Sequence, residues 1–246
     1  MSETLLRGKE FRIPPRIIFG DGSLARIGEE AAALGNKALL VTGRRAMKES
    51  GTLVRLQKAL KKASVQVEVF DQVEPEPTLF CLMEALEAAR QNQVRLVIGL
   101  GGGSALDVAK ATAGLAFAER TPAEYFRGAS IEPAERLPFL AVPTTAGTGA
   151  EVTPNSVLTD EASSRKASIR HPDWYAKTVL ADPELLASLP LDQALASGVD
   201  ALAHSLESLV STGANDLTAP VSTQAAVSLM TNLPRLAEQG YSAQVA

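Results

Sequence analysis

Two sets of residues in this sequence have types and spacings that can do chemistry. The first is Gly99-Leu-Gly-Gly-Gly-Ser104, which follows an apolar strand-like run directly and opens a helix-like one. That context separates a dinucleotide turn from a chance glycine cluster. Glycines let the backbone approach a diphosphate closely, and the free amides and positive end of a helix beginning at Ala105 stabilise its charge. Ser104 is placed to cap that helix, and Asp107 three residues on completes a capping-box-like arrangement. Serine in the last position departs from the strict G-x-G-x-x-G form, and no Lys-Ser/Thr follows to make a Walker A loop. A tight turn that merely caps a helix is the alternative. Three consecutive glycines carry an entropic cost that capping alone does not require.

The second set is Asp200 and His204, four apart in a helical run and therefore on one face. A polar stripe of Asp200, His204, Glu207 and Ser211 runs beside an apolar side marked by Leu202, Leu206, Leu209 and Val210. One carboxylate and one imidazole suit Fe²⁺ or Zn²⁺. A solvated Asp–His pair is the commoner arrangement in helices at large.

Two further stretches support the first set. Thr144-Thr-Ala-Gly-Thr-Gly149 follows a strand-like run and offers hydroxyl and backbone donors, although many ordinary loops share this composition. At Thr42-Gly43-Arg44-Arg45 a strand ends without the carboxylate that would bond the adenosine ribose hydroxyls and repel a 2′-phosphate. Two guanidiniums follow instead, which favours the phosphorylated ribose of NADP over NAD. Alternatively, Arg44 and Arg45 are simply solvated and Gly43 tolerates either cofactor.

The elements that must position these residues alternate between strand and helix. Arg16–Phe19, Ala38–Thr42, Val65–Phe70, Leu96–Leu100 and Phe139–Val142 read as strands. Between them, helices are expected from an N-cap at Ser23 to a stop at Gly35, around Leu53, Leu56 and Leu60, over Thr78–Gln91 and over Ala105–Ala118. Repeated strand–helix–strand units imply an α/β fold with a mostly parallel sheet and helices on both faces. Asn155–Asp160 and Lys166–His171 flank a polar turn and read as an antiparallel hairpin. From Asp182 the signals turn helical, with Leu195–Val210 and Ala219–Leu236 as helices. The sequence thus divides into a nucleotide-binding α/β domain over residues 1–184 and the start of an all-helical domain over 185–246. Val221, Ala225, Leu229 and Leu233 need a facing surface, and so short a helical domain reads as cut short.

Composition narrows the partners. With 46% hydrophobic residues, 21% charged residues and a net charge of −4 over 246 residues, there is no basic footprint for nucleic acid. Met1–Phe11 lacks the pattern of a secretory leader, and no run is apolar enough to span a bilayer, so a soluble cytoplasmic protein is the default expectation. Cys81, the one cysteine, is expected to be buried and inert. His171 and His204 are the only histidines, and His171 is expected to be a surface or hydrogen-bonding residue.

Three motifs carry a resemblance. Gly101–Lys110 (Gly-Gly-Gly-Ser-Ala-Leu-Asp-Val-Ala-Lys), Ala141–Thr153 and Ala196–Glu207 are similar, in order, to the nucleotide signature, second loop and first metal-ligand helix of the iron-containing, or group III, alcohol dehydrogenases. The resemblance implies an α/β nucleotide domain joined to an all-helical metal domain. It also implies interconversion of small alcohols with aldehydes or ketones, using NAD or NADP and usually divalent iron. It implies that Gly102, Gly103 and Ser104 cradle the pyrophosphate and that Asp107 lies nearby toward the nicotinamide, where a catalytic role would fall. Thr144, Thr145 and Thr153 would contact the nucleotide, and Lys166 would reach its ribose or phosphate side. Asp200 and His204 match two of the family's metal ligands. The other two are later histidines, and none follows His204 here.

Three readings follow, with a homodimer as a possible assembly. The leading one is an NADP-dependent, metal-assisted alcohol dehydrogenase or aldehyde reductase, with iron or zinc in the complete enzyme. The second is a truncated cofactor-binding remnant without catalysis, motivated by the absent histidines. The third is a metal-independent relative such as a maleylacetate reductase, against which Asp200 and His204 argue.

Overall fold

The computed structural model describes residues 12–131 and 135–240. Met1–Phe11, read above for a leader, lies outside them. The strands are β1 (Ile17–Phe19), β2 (Lys37–Gly43), β3 (Gln66–Val73), β4 (Leu96–Gly101), β5 (Phe139–Pro143), β6 (Asn155–Asp160), β7 (Arg165–Arg170) and β8 (Thr178–Ala181). The helices are α1 (Ile27–Ala32), α2 (Ala46–Glu49), α3 (Thr52–Lys62), α4 (Leu79–Gln91), α5 (Gly103–Leu115), α6 (Pro122–Phe126), α7 (Leu191–Val210) and α8 (Thr218–Gln239).

Six strands form one parallel sheet in the order β1-β8-β5-β4-β2-β3. Side chains alternate across a strand, so each central strand feeds two cores. Leu39, Val41, Val97, Ala141 and Val179 face Leu82, Ala85 and Leu86 of α4 and Leu106 and Ala109 of α5. Ala38, Leu40, Ile98, Leu100, Leu140 and Val142 face Ile27 of α1 and Leu56 and Leu60 of α3. β6 and β7 pair antiparallel as a separate hairpin, as their patterning predicts.

Topology and register locate the site. From β2 the chain moves outward to β3, and from β4 it moves the other way to β5, so the order reverses between β2 and β4. Thr42 stands level with Leu100, and Leu100 with Val142. The loops after all three strands therefore start at one height, beyond the carboxyl ends, where open α/β sheets bind ligands.

Several expectations are corrected. β8 fills the sheet between β1 and β5 where no strand is read from sequence. Its four residues are too few to show a period. Ser23 does not cap a helix, because its hydroxyl is buried without a partner. The buried Asp182 carboxylate takes the capping amides of Gly22 and Leu24 instead, at 3.1 and 2.9 Å. The first long C-terminal helix begins at Leu191 rather than Leu195, straight after Pro190. No helix among the described residues is long and apolar enough to cross a membrane.

Candidate functional site

A cleft of about 770 Å³ opens at the point where the strand order reverses. Gly101, Gly102, Gly103 and Ser104 form its floor, Thr144, Thr145 and Thr148 one wall, and Gly43, Arg44, Arg45 and Glu74 the other. Gln193, Ala196 and Ser197 of α7 close over it.

The glycine bend is built for close approach. Gly101 sits at φ +148°, which L side chains rarely adopt, and its carbonyl accepts the Thr144 amide at 3.0 Å. A Cβ on Gly102 would lie 3.1 Å from the Thr145 side chain, and one on Gly103 would lie 2.9 Å from the Thr148 hydroxyl. At the head of α5 the Leu106 amide bonds the Gly102 carbonyl, while those of Gly103, Ser104 and Ala105 have no backbone partner among the described residues. First-turn amides without intrahelical partners, at the positive end of a helix dipole, make an anion cradle. A dinucleotide diphosphate fits this cradle.

The expected capping box is absent. α5 starts at Gly103, so Ser104 lies inside its first turn and Gly102 is the cap residue. Asp107 points away from Ser104. One of its carboxylate oxygens accepts the Val157 amide at 2.9 Å, and the other meets the Lys110 ammonium at 3.4 Å. Lys110, 1% exposed, also donates to the carbonyls of Ala150 and Asn155, each at 2.7 Å, and to the Thr153 hydroxyl at 3.3 Å. This lysine ties α5 to the threonine loop and the hairpin, and its importance is not evident from sequence. Burial pushes the Asp107 carboxyl above its ordinary range, opposed chiefly by the Lys110 charge. Burial likewise pushes Lys110 down, opposed by Asp107.

The structure thus brings Gly43, Arg44, Arg45, Gly102, Gly103, Ser104, Thr144 and Thr145 to one cleft. It sets Asp107 and Thr153 behind that cleft around Lys110, and Lys166 on the hairpin in an ion pair with Glu76. Glu74 is a cleft residue that sequence reasoning missed, and Thr148 lines the cleft from the loop of which it had singled out only Thr144 and Thr145. Glu74 could have been found from its place just past the strand neighbouring β2.

Asp200 and His204 continue the face of α7 that carries Gln193, Ala196 and Ser197 toward the cleft, at helical spacing. Asp200 Oδ1 and His204 Nε2 are 3.8 Å apart, a distance one ion with bonds of about 2.1 Å can span. The donor set suits a divalent metal in kind but amounts to half a tetrahedral shell. The described residues hold no cluster of three or more His, Cys, Asp or Glu side chains. Elsewhere, His171 Nδ1 accepts from Arg136 at 2.8 Å and from the Asp173 amide at 3.2 Å, and burial and the Arg136 charge hold its pKa down. Burial pushes the Cys81 thiol up to about 11, which suits an inert side chain.

Fold and cleft together define a doubly wound parallel α/β unit with an anion cradle at its switch point and a helical pair beyond it. Residues 14–183 match the iron-containing alcohol dehydrogenases, and the chain belongs to that family. It is 37% identical over 208 residues to choline dehydrogenase of Bacillus subtilis, covering 83% of this chain and 52% of that one. It is also 37% identical over 204 residues to long-chain-alcohol dehydrogenase 1 of Geobacillus thermodenitrificans, covering 82% and 51%. The crystal structure of NADH-dependent butanol dehydrogenase A from Thermotoga maritima superposes with a TM-score of 0.88 at 31% identity, covering 95% of this chain and 58% of that one. The chain spans about half the length of the curated relatives it matches.

Proposed function

We propose that this chain is the nucleotide-binding part of an NAD(P)-dependent alcohol dehydrogenase or aldehyde reductase, acting on a small alcohol or carbonyl substrate. Unpartnered amides at the glycine bend, aimed into a cleft at the sheet's switch point, are the observation that carries this reading. Gly102, Gly103 and Ser104 would hold the pyrophosphate, with Thr144, Thr145 and Thr148 along its flank. Thr153 and Lys166 would bear on the nucleotide from the loop and hairpin, and Asp107 would fix that side of the site through Lys110 and Val157. The nicotinamide, when bound, would supply hydride chemistry at its C4, and the residues of the cleft would contribute orientation and electrostatics. Asp200 and His204 would hold a divalent iron or zinc, whose chemistry is Lewis-acid polarisation of the substrate oxygen. The helices α7 and α8 would belong to the helical, metal-binding part of the protein.

Arg44 and Arg45 in the cleft wall support NADP(H) over NAD(H). The half-complete donor set favours a second reading, in which this polypeptide alone binds nucleotide without turning substrate over. Calorimetric titration with NADPH and NADH tests both cofactor claims. One equivalent of NADPH is expected to bind, more tightly than NADH. Equal affinities would refute the preference, and binding of neither would refute the site. Trp174 is a poor reporter, because it packs on Gly114, about 16 Å down α5 from Gly103.

A further inference from the structure

Sequence leaves the end of β2 without a carboxylate, but the fold brings one from the next strand. Glu74 follows β3 immediately, and β3 is the hydrogen-bonded neighbour of β2. Its Oε1 lies 2.8 Å from Nη2 of Arg44. Both side chains line the cleft, and both are about half exposed, at 54% for Arg44 and 57% for Glu74. Space beside them is open, since a Cβ on Gly43 would meet only the Val73 carbonyl, at 3.6 Å. Arg45 lines the same wall and forms no ion pair among the described residues. Lys48 and Asp71 pair with each other, and Glu76 pairs with Lys166.

We infer that Glu74 sets cofactor specificity: its carboxylate competes with a ribose 2′-phosphate for the Arg44 guanidinium. The inference rests on the cleft being a nicotinamide dinucleotide site. With NAD(H), Glu74 keeps Arg44 and offers its other oxygen to the ribose hydroxyls, the role a strand-end acid plays. With NADP(H), a phosphate carrying up to two negative charges meets Glu74 repulsively, and Arg44 turns from carboxylate to phosphate. The exchange is easy in one respect, because an exposed ion pair contributes little to stability. A planar guanidinium also binds phosphate through two parallel hydrogen bonds, so it loses no geometry in the swap. Glu74 therefore restrains a preference for NADP(H) that Arg44 and Arg45 create.

The test uses the full chain with Glu74→Gln and Arg44→Gln, each titrated by calorimetry with NADPH and NADH. Parallel titrations with 2′,5′-ADP and 5′-ADP place the effect at the ribose. In Glu74→Gln the ratio of NADPH to NADH affinity is expected to rise about tenfold, equivalent to one lost like-charge contact. NADPH should tighten, NADH should weaken, and the fragment pair should follow. In Arg44→Gln the ratio is expected to fall by a similar factor. A ratio unchanged within about twofold in Glu74→Gln, with both dinucleotides still bound, overturns the inference and leaves the nucleotide site standing. Failure of the unmodified chain to bind either dinucleotide or 5′-ADP overturns the site, and the specificity role with it.

Discussion

Lys110 shows how a single residue can organise a site it does not face. Its buried ammonium answers two carbonyls, a hydroxyl and the Asp107 carboxylate, drawn from α5, the turn at Ala150–Thr153 and β6. Removing one member of such a buried pair strands the other charge. Lys110→Met is expected to cost about 3–5 kcal/mol in urea unfolding, against far less for an exposed pair such as Lys166–Glu76. The pH dependence has a definite sign. An acid whose folded pKa is raised makes the native state the stronger proton binder, so stability falls as pH rises from the unfolded to the folded value. Burial already raises Asp107, and loss of Lys110 raises it further. The deficit of Lys110→Met should therefore shrink as pH is lowered, and a deficit independent of pH would refute the account. The glycine bend was legible in the sequence because its chemistry lies in its composition. Lys110 was not, since a lysine in a helix normally reads as solvated. A faint signal existed: it stands three residues from Asp107 in a helix otherwise made of small and apolar side chains and one threonine.

At the scale of elements, β2, β4, β5, α3, α4 and α5 were legible because burial imposes continuous or periodic apolar runs on them. β8 is equally buried but only four residues long, and it follows an irregular segment that ends at Lys177. Short elements give period-based reasoning too little to count. The same irregular segment delivers Trp174 to the last turn of α5, where no residue but glycine fits at position 114. A Cβ on Gly114 would overlap the Trp174 indole ring, which is itself 3% exposed. Gly→Ala inside a helix normally gains up to about 1 kcal/mol. Here overpacking of a rigid, buried ring costs about 1–3 kcal/mol, and the clash wins. Gly114→Ala should lower the unfolding midpoint and alter Trp174 emission in the native state. A variant more stable than the parent would show that α5 and the Trp174 segment separate freely.

Across the whole molecule, the two halves differ in how dry they are. The sheet and its helices enclose two continuous apolar cores, whereas α7 and α8 bury chiefly Ala194, Gly198, Ala226 and Leu236 and leave Val199, Leu206, Val210, Val221 and Met230 exposed. Asp200 and His204 belong to the wet half, with side chains 45% and 53% exposed. Metal donors in water lack the surrounding polar partners and low-dielectric shell that orient and strengthen them. Two such donors would give only exchangeable binding, whereas the amides proposed to hold the diphosphate stand together at the head of α5. Metal and nucleotide should therefore uncouple in this chain. After dialysis it should hold well under one equivalent of iron or zinc, and a chelator should leave its melting temperature unmoved. NADPH at a hundred times its dissociation constant should add about 2.7 kcal/mol, and so raise the melting temperature by about 5–10 °C. A tightly held equivalent of metal, removed by chelator with a fall in melting temperature, would mean that Asp200 and His204 have partners enough to close the shell.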